Sequence, residues 1–298
     1  MSTSRRRLLG GAAAAGGLAL VSACGRNRPQ ADPETGDDSV PAAPEGSLEW
    51  AVAGPWRAQD RARDEWRHPV ETLTFFGIRP DMRVVEMWPG VGWYTEILAP
   101  YLARGGGKLF AAGFEIGPDT DAALRQVMSR FEARFTGDRR LYGDVAITAF
   151  GPASGPLAPT ASIDLVLFLR SLHAWMAAGI AEKAFADAFA ALKPGGVLGV
   201  EQHRGASGGD QDPAAASGYV QEAFVKQLAA EAGFIFVAAS EINANPDDTK
   251  DHPFGVDTLP PNNLTAPPGQ PPDPEFDRGR YDAIGESDRM TLKFRKPE

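Results

Sequence analysis

Residues 83–98 read RVVEMWPGVGWYTEIL. The run from Val84 to Met87 predicts a strand, and the amphipathic stretch after Gly92 predicts a helix. A Pro-Gly-x-Gly turn joins them with no gap. That order builds a nucleotide-type ligand site. Glycines at 90 and 92 let the backbone approach a ligand, and the helix start offers free N–H groups and the positive end of its dipole. Trp88 stands where such turns usually carry their first glycine.

Outward from this turn, strand and helix alternate. The pattern predicts helix over 92–103, strand over 108–114, helix over 120–135, a short strand within 141–150, and strand over 163–169. The last of these, IDLVLFL, is nearly all apolar, as a strand buried on both faces requires. Helix over 180–192, strand over 197–202, helix over 217–232 and strand over 234–240 follow. RMTLKFR at 289–295 alternates and closes the chain. Alternating β and α elements predict a doubly wound, mostly parallel α/β sheet of seven strands. The last strand is reached through a loop without a helix, so it should run antiparallel. That loop, 243–287, is long and Pro-rich and should lie over the ligand edge of the sheet. Before the sheet, 57–76 reads as helical, with a break near His68-Pro69.

The chain has 298 residues, 43% hydrophobic and 23% charged, with a net charge of −9. After residue 23 there are 27 basic and 39 acidic residues, and this acidic body argues against a nucleic-acid partner. The first 24 residues read as an export signal. Arg5-Arg6-Arg7 is a twin-arginine-type basic region, residues 10–21 are a short Ala/Gly-rich apolar segment, and Val21-Ser22-Ala23-Cys24 resembles a bacterial lipobox. Cys24, the single cysteine, would then carry lipid and anchor the chain to the outer face of a membrane of the cell envelope. With one cysteine there is no internal disulfide and no cysteine metal site or nucleophile. Residues 25–47, rich in Pro, Asp, Glu and Gly, predict a tether, and 48–298 the folded domain.

Residues 79–296 resemble the class I S-adenosylmethionine-dependent methyltransferases. Glu86-x-Trp88-Pro89-Gly90-x-Gly92 resembles their first motif, and Asp164-Leu165-Val166 the start of their fourth strand. Leu192-Lys193-Pro194-Gly195-Gly196 resembles the turn into their fifth. Exported members of this type share WPGxGWY, R-x-x-H-x-W and NPxD-T. The resemblance implies a Rossmann-like methyltransferase sheet and S-adenosylmethionine as cofactor. It implies that Glu86, Trp88, Gly90 and Gly92 face the cofactor, with Asp144 at its adenine and Glu115 in place of the usual ribose-binding acid at the second strand. Methyl transfer to a small-molecule acceptor is the activity it implies. The compartment pulls the other way, because S-adenosylmethionine is scarce outside the cytoplasm.

His173 and His203 follow the fourth and fifth predicted strands and so fall at the ligand edge. With Glu201 and Arg170 beside them they are the candidate catalytic groups, since imidazole and carboxylate suit proton transfer. His68 and His252 read as loop-bracing residues, Trp93 and Tyr94 as packing residues of the helix, and Asp247-Asp248 as a solvated turn. Two further readings stand beside the methyltransferase. One is a non-catalytic envelope lipoprotein binding a ligand in a degenerate cofactor pocket. The other is a metal-assisted hydrolase built on His173, Glu201 and His203.

Overall fold

The computed structural model describes residues 43–298; the expected export signal, Cys24 and most of the expected tether lie outside the described residues. Three short helices precede the sheet: α1 (Leu48–Ala53), α2 (Asp64–Arg67) and α3 (Pro69–Phe76). Single-turn 3-10 segments at Pro55–Arg57 and Arg61–Arg63 lie between the first two. The region read as one bent helix is therefore several pieces. The break falls at His68, which takes a left-handed φ of 38° before Pro69. A residue ahead of proline is excluded from ordinary helical geometry, and proline is favoured at the first position of the next helix.

The sheet region runs β1 (Arg83–Met87), α4 (Thr95–Gly105), β2 (Lys108–Phe114), α5 (Ala122–Gly137), α6 (Arg139–Tyr142), β3 (Ala146–Phe150), β4 (Ile163–Leu169), α7 (Leu172–Ala177), α8 (Ala181–Ala191), β5 (Leu192–His203), α9 (Glu222–Glu231), β6 (Ile235–Ser240), α10 (Gly279–Ile284) and β7 (Arg289–Arg295). Strand order is β3-β2-β1-β4-β5-β7-β6, with β7 antiparallel to both neighbours and the other pairings parallel. This is the doubly wound, seven-stranded, mostly parallel arrangement with an antiparallel last strand that the sequence pattern predicts. The chain leaves β1 toward β2 and β3, then returns to β4 on the other side of β1. A crevice opens at the tip of β1, where the winding reverses.

Both faces of the sheet are covered. On one, Val85, Met87, Val166 and Phe168 pack with Trp175, Phe185 and Val225. On the other, Val84, Leu165 and Leu167 pack with Leu73, Ile97, Leu98 and Phe135. Alternate residues of β1 and β4 serve opposite cores, which explains their unbroken apolar runs.

The predicted helix over 217–232 starts only at Glu222. Gly218 has a φ of 80°, and residues before it run beside the loop 243–287, which forms a lid over the crevice: Val256 N–H donates to the Ser217 carbonyl at 2.9 Å. The long loop 243–287 is ordered by its own polar groups. The Asn243 amide donates to Thr72 Oγ1 and Thr291 Oγ1, and the Asn245 amide to the Ile284 and Glu286 carbonyls. Among the described residues no helix is long and apolar enough to cross a membrane.

The two turn glycines have different reasons to exist. A methyl group on Gly92 would lie 2.3 Å from the Phe135 ring at a φ of 97°, whereas one on Gly90 would meet nothing within 4 Å. Gly92 is therefore a packing requirement and Gly90 an opening toward the crevice. Gly92→Ala should lower unfolding stability by about 2–4 kcal/mol, combining overpacking with left-handed strain. Gly90→Ala should cost only the strain, about 1 kcal/mol. Urea midpoints of the two variants measure the difference.

Candidate active site

Trp88 divides the crevice. Its φ of 47° turns the indole toward the tips of β2 and β3, where Nε1 donates to the Phe150 carbonyl at 2.9 Å. Its ring centroid lies 4.4 Å from Phe114 and 5.8 Å from Trp175. On one side of the indole is a cavity of about 290 Å³ above Gly90, walled by β4, β5 and the lid. On the other is a mainly apolar cavity of about 470 Å³ between the tips of β2 and β3, which includes Phe114, Glu115 and Phe150.

The first cavity gathers most of the expected residues. Glu86, Trp88, Gly90, Arg170, His173 and His203 all line it. Glu86 is buried and accepts from Thr95 Oγ1 at 2.6 Å. Burial pushes its carboxyl up to about 7, against the opposing pull of Thr95 and Arg170. His173 and His203 stand with ring centroids 5.3 Å apart. Burial lowers both, most strongly His203, which also faces His173, Arg289 and Arg170. Both imidazoles are neutral at pH 7.

Their tautomers differ in what they allow. Gln202 Oε1 accepts from Leu172 N–H at 3.2 Å, and Nε2 donates to the Gly218 carbonyl at 3.1 Å, which fixes the amide. That same Nε2 donates to His173 Nδ1 at 3.2 Å, so neutral His173 carries its proton on Nε2 and is a donor. His203 Nδ1 lies 2.5 Å from Ser287 Oγ. When that nitrogen carries the proton, His203 Nε2 is free to accept one.

Glu201 departs from its expected catalytic place. It is fully buried and does not line the cavity. Tyr94 Oη donates to it at 3.1 Å, Arg170 Nη1 lies 3.3 Å away, and Arg289 Nε 3.0 Å. Two guanidinium groups and a phenol hold it away from the histidines, so it braces the site rather than reacting. The same contacts undercut a metal site on His173, Glu201 and His203. Among the described residues no three His, Cys, Asp or Glu are gathered to hold a metal.

Asp144 requires a correction. It precedes β3 and is paired with Lys108 Nζ at 2.8 Å and Arg139 Nη2 at 3.0 Å. Lys108 opens β2, so Asp144 sits at the edge of the sheet opposite the crevice and cannot read an adenine there. The tip of β3 continues instead into Gly151-Pro152. Glu115, by contrast, lies at the tip of β2 and accepts from Ala153 N–H through Oε2 at 2.9 Å.

Sequence reading missed the groups around Glu201. Arg67 Nε and Nη2 reach Glu286 at 2.7–2.9 Å, and Arg289 Nη1 pairs with the same carboxylate. Arg67 comes from α2, Glu286 from the end of the lid and Arg289 from β7. The available signal was the charged run Glu286-Ser287-Asp288-Arg289 leading into an apolar strand. His68 and His252 brace loops, as read: His68 Nδ1 lies 3.3 Å from Asn243 Oδ1, and buried His252 Nε2 2.8 Å from Asp248 Oδ1. Asp248 is not a solvated turn, since it is buried and also accepts from Tyr219 Oη.

No family model and no curated sequence matches the chain. Solved structures resemble it in fold. A SAM-dependent methyltransferase from Aquifex aeolicus is 16% identical, with 63% of this chain and 90% of that one covered and a TM-score of 0.49. The [4+2]-cyclase SpnF is 16% identical over 78% and 80% of the two chains, also at 0.49. Phosphoethanolamine N-methyltransferase 2 from Haemonchus contortus is 14% identical over 78% and 53%, at 0.48.

The residues fit S-adenosylmethionine in part. Open backbone at Gly90 and the acid Glu86 lie in one cavity, and Glu115 with an apolar floor in the other. An indole replaces the usual glycine between them, and no acid stands at the β3 tip.

Two titrations should mark the site. Burial would push the Glu286 carboxyl up, but Arg67, Arg289 and Arg170 outweigh it and hold it at about 2, below its ordinary 4.5. Its stabilisation is present above pH 4.5 and is lost as pH falls toward 2, roughly 3 kcal/mol in all. Glu286→Gln should lose at least that much at pH 7, and its stability should fall less steeply between pH 4.5 and 3. Glu86 has the opposite sign. Its raised value favours the folded state below pH 4.5, and that contribution is lost as pH rises through 7. Glu86→Gln should therefore gain about 1–3 kcal/mol on wild type at pH 8 and nothing at pH 4. Denaturant titrations at these pH values test both.

Proposed function

We propose that this chain is an S-adenosylmethionine-dependent methyltransferase acting on a small-molecule acceptor. The observation that carries this reading is the cavity at the winding reversal, open to the Gly90 backbone and walled by Glu86 and two neutral histidines. Glu86, the Gly90 turn and Glu115 would hold the cofactor, with Trp88 as an aromatic floor. The cofactor supplies an electrophilic methyl group on a sulfonium.

The chain's own residues do the rest. His203 Nε2 takes the proton of an acceptor hydroxyl or amine, and Ser287 Oγ keeps Nδ1 protonated meanwhile. His173 Nε2–H orients the acceptor by donating to it. The lid, with Val256 and Pro260 over the cavity, excludes water. Export and a lipid anchor at Cys24 are part of the proposal and rest on Arg5-Arg6-Arg7 and Val21-Ser22-Ala23-Cys24. A twin-arginine route carries folded protein, so a bound cofactor can travel with it.

Trp88 and the missing β3-tip acid favour one second reading, a ligand-binding protein that has lost catalysis. Calorimetry separates the two. The methyltransferase binds S-adenosylhomocysteine, and Glu115→Ala weakens that binding by about tenfold, the worth of one charged hydrogen bond. A flat titration with both S-adenosylmethionine and S-adenosylhomocysteine would leave the ligand-binding reading.

A further inference from the structure

The charged groups behind the cavity do not balance. Three guanidinium groups, Arg67, Arg170 and Arg289, share two carboxylates, Glu201 and Glu286. Arg67 gives Nε and Nη2 to Glu286. Arg289 sets Nη1 on Glu286 and Nη2 on the Trp66 carbonyl, and its buried Nε lies 3.0 Å from Glu201 without a hydrogen bond. Arg170 gives only Nη1, at the long distances of 3.3 and 3.4 Å. Its Nε and Nη2 have no protein partner among the described residues.

Arg170 is placed to present those donors. It sits at the tip of β4 with a φ of 60°, its guanidinium carbon 5.8 Å from the Tyr94 ring centroid, and its side chain is 17% exposed on the cavity wall. The fixed Nε2–H of His173 lines the same cavity. Of the acids there, Glu286 is already shared by two arginines, burial pushes the Glu86 carboxyl up to about 7, and Asp257 belongs to the lid and accepts from Asn262. The wall that includes Trp88, Trp93 and Tyr94 offers apolar surface.

We propose that the free edge of Arg170, with His173 Nε2–H, is a docking site for the oxyanion of a small aromatic or apolar acceptor, a carboxylate or a phosphate monoester. The proposal rests on the methyltransferase reading for the word acceptor. Arg170 follows β4 directly and His173 lies in the first turn of α7, on the far side of Trp88 from β2 and β3. The anion subsite is thus on the side away from the Glu115 cavity. A guanidinium edge matches either anion through paired N–H donors.

The test uses the full chain and three probes of similar shape: benzoate, phenyl phosphate and neutral benzamide, followed by tryptophan fluorescence with and without saturating S-adenosylhomocysteine. Wild type should bind at least one anion about tenfold to a hundredfold more tightly than benzamide, the worth of charged hydrogen bonds. The tighter anion tells carboxylate from phosphate. Arg170→Gln should erase the preference, and Arg170→Lys should keep part of it. Equal binding of all three probes, no saturable response to either anion, or a preference that survives Arg170→Gln overturns the proposal. So does an anion displaced by S-adenosylhomocysteine, which would place the cofactor's own carboxylate on Arg170. The wild-type comparison stands even if Arg170→Gln does not fold. Arg170-dependent anion binding in a protein that ignores S-adenosylhomocysteine upholds the subsite and removes the methyltransferase reading. The reverse result removes only the subsite.

Discussion

Five charges, four of them buried and Arg170 partly so, tie together parts of the chain that the sheet alone would leave apart. Arg67 from α2, Glu286 at the end of the lid, Arg289 and Glu201 on the paired strands β7 and β5, and Arg170 just past the tip of β4 form one connected network. A buried charge is tolerated only when paired and hydrogen-bonded, and removing one partner strands the other. Each member therefore fixes where its neighbours can be. The lid must end where Glu286 can meet both Arg67 and Arg289, and α2 must lie against it. The cavity takes its shape from that requirement more than from apolar packing, because its base is this network and its roof is the loop the network anchors. Burial lowers Arg67 to about 10, assisted by its neighbours Arg170 and Arg289, and the deep pairing of Glu286 is what keeps that guanidinium charged there.

Two strained residues aim side chains across the crevice. Trp88 and Arg170 stand at the tips of adjacent strands β1 and β4, both with positive φ and neither glycine. Such geometry costs about 1–2 kcal/mol per residue and persists only where surroundings over-determine it. For Trp88 the surroundings are the hydrogen bond to Phe150 and the rings of Phe114 and Trp175. For Arg170 they are Glu201 and the Arg170 N–H bond to the Glu201 carbonyl at 2.7 Å. The two side chains leave in different directions, the indole toward β3 and the guanidinium toward β5. That divergence splits the crevice into an apolar and a cationic half.

Much of this fold was legible because burial leaves a periodic trace. The unbroken apolar run of β4 and the strand–turn–helix at Arg83–Leu98 required a two-sided parallel sheet, and the helix-free approach to β7 required its reversal. The site was legible where residues follow a strand directly, as His173 and His203 do. It failed where lying before or after a strand decides the edge. Asp144 lies inside the stretch read as strand-bearing, yet the strand begins at Ala146, and this puts the acid on the wrong side of the sheet. Glu201 failed for a different reason. Its partner Arg289 is 88 positions away, and sequence spacing carries no record of which buried acid such an arginine will claim. The break at His68 was readable from proline chemistry, but not its consequence, which is to bring Arg67 to Glu286.

The charge of the cavity bears on what it can accept. A sulfonium is a cation, and the part-paired guanidinium of Arg170 opposes it nearby, the more so because the histidines are neutral and burial pushes the Glu86 carboxyl up to about 7. In a medium of effective dielectric about 20, unit charges a few ångströms apart repel by a few kcal/mol. An anion on Arg170 would cancel that local charge. Neutral histidines are then an advantage, since they add no second cation and leave His203 able to accept a proton. Cation and anion would each make the other's place more favourable, and such coupling is reciprocal by thermodynamic necessity. A cavity that repels its electrophile until the acceptor's charge is present guards against reaction with water. In this site that guard would come from Arg170 rather than from any movement of the lid.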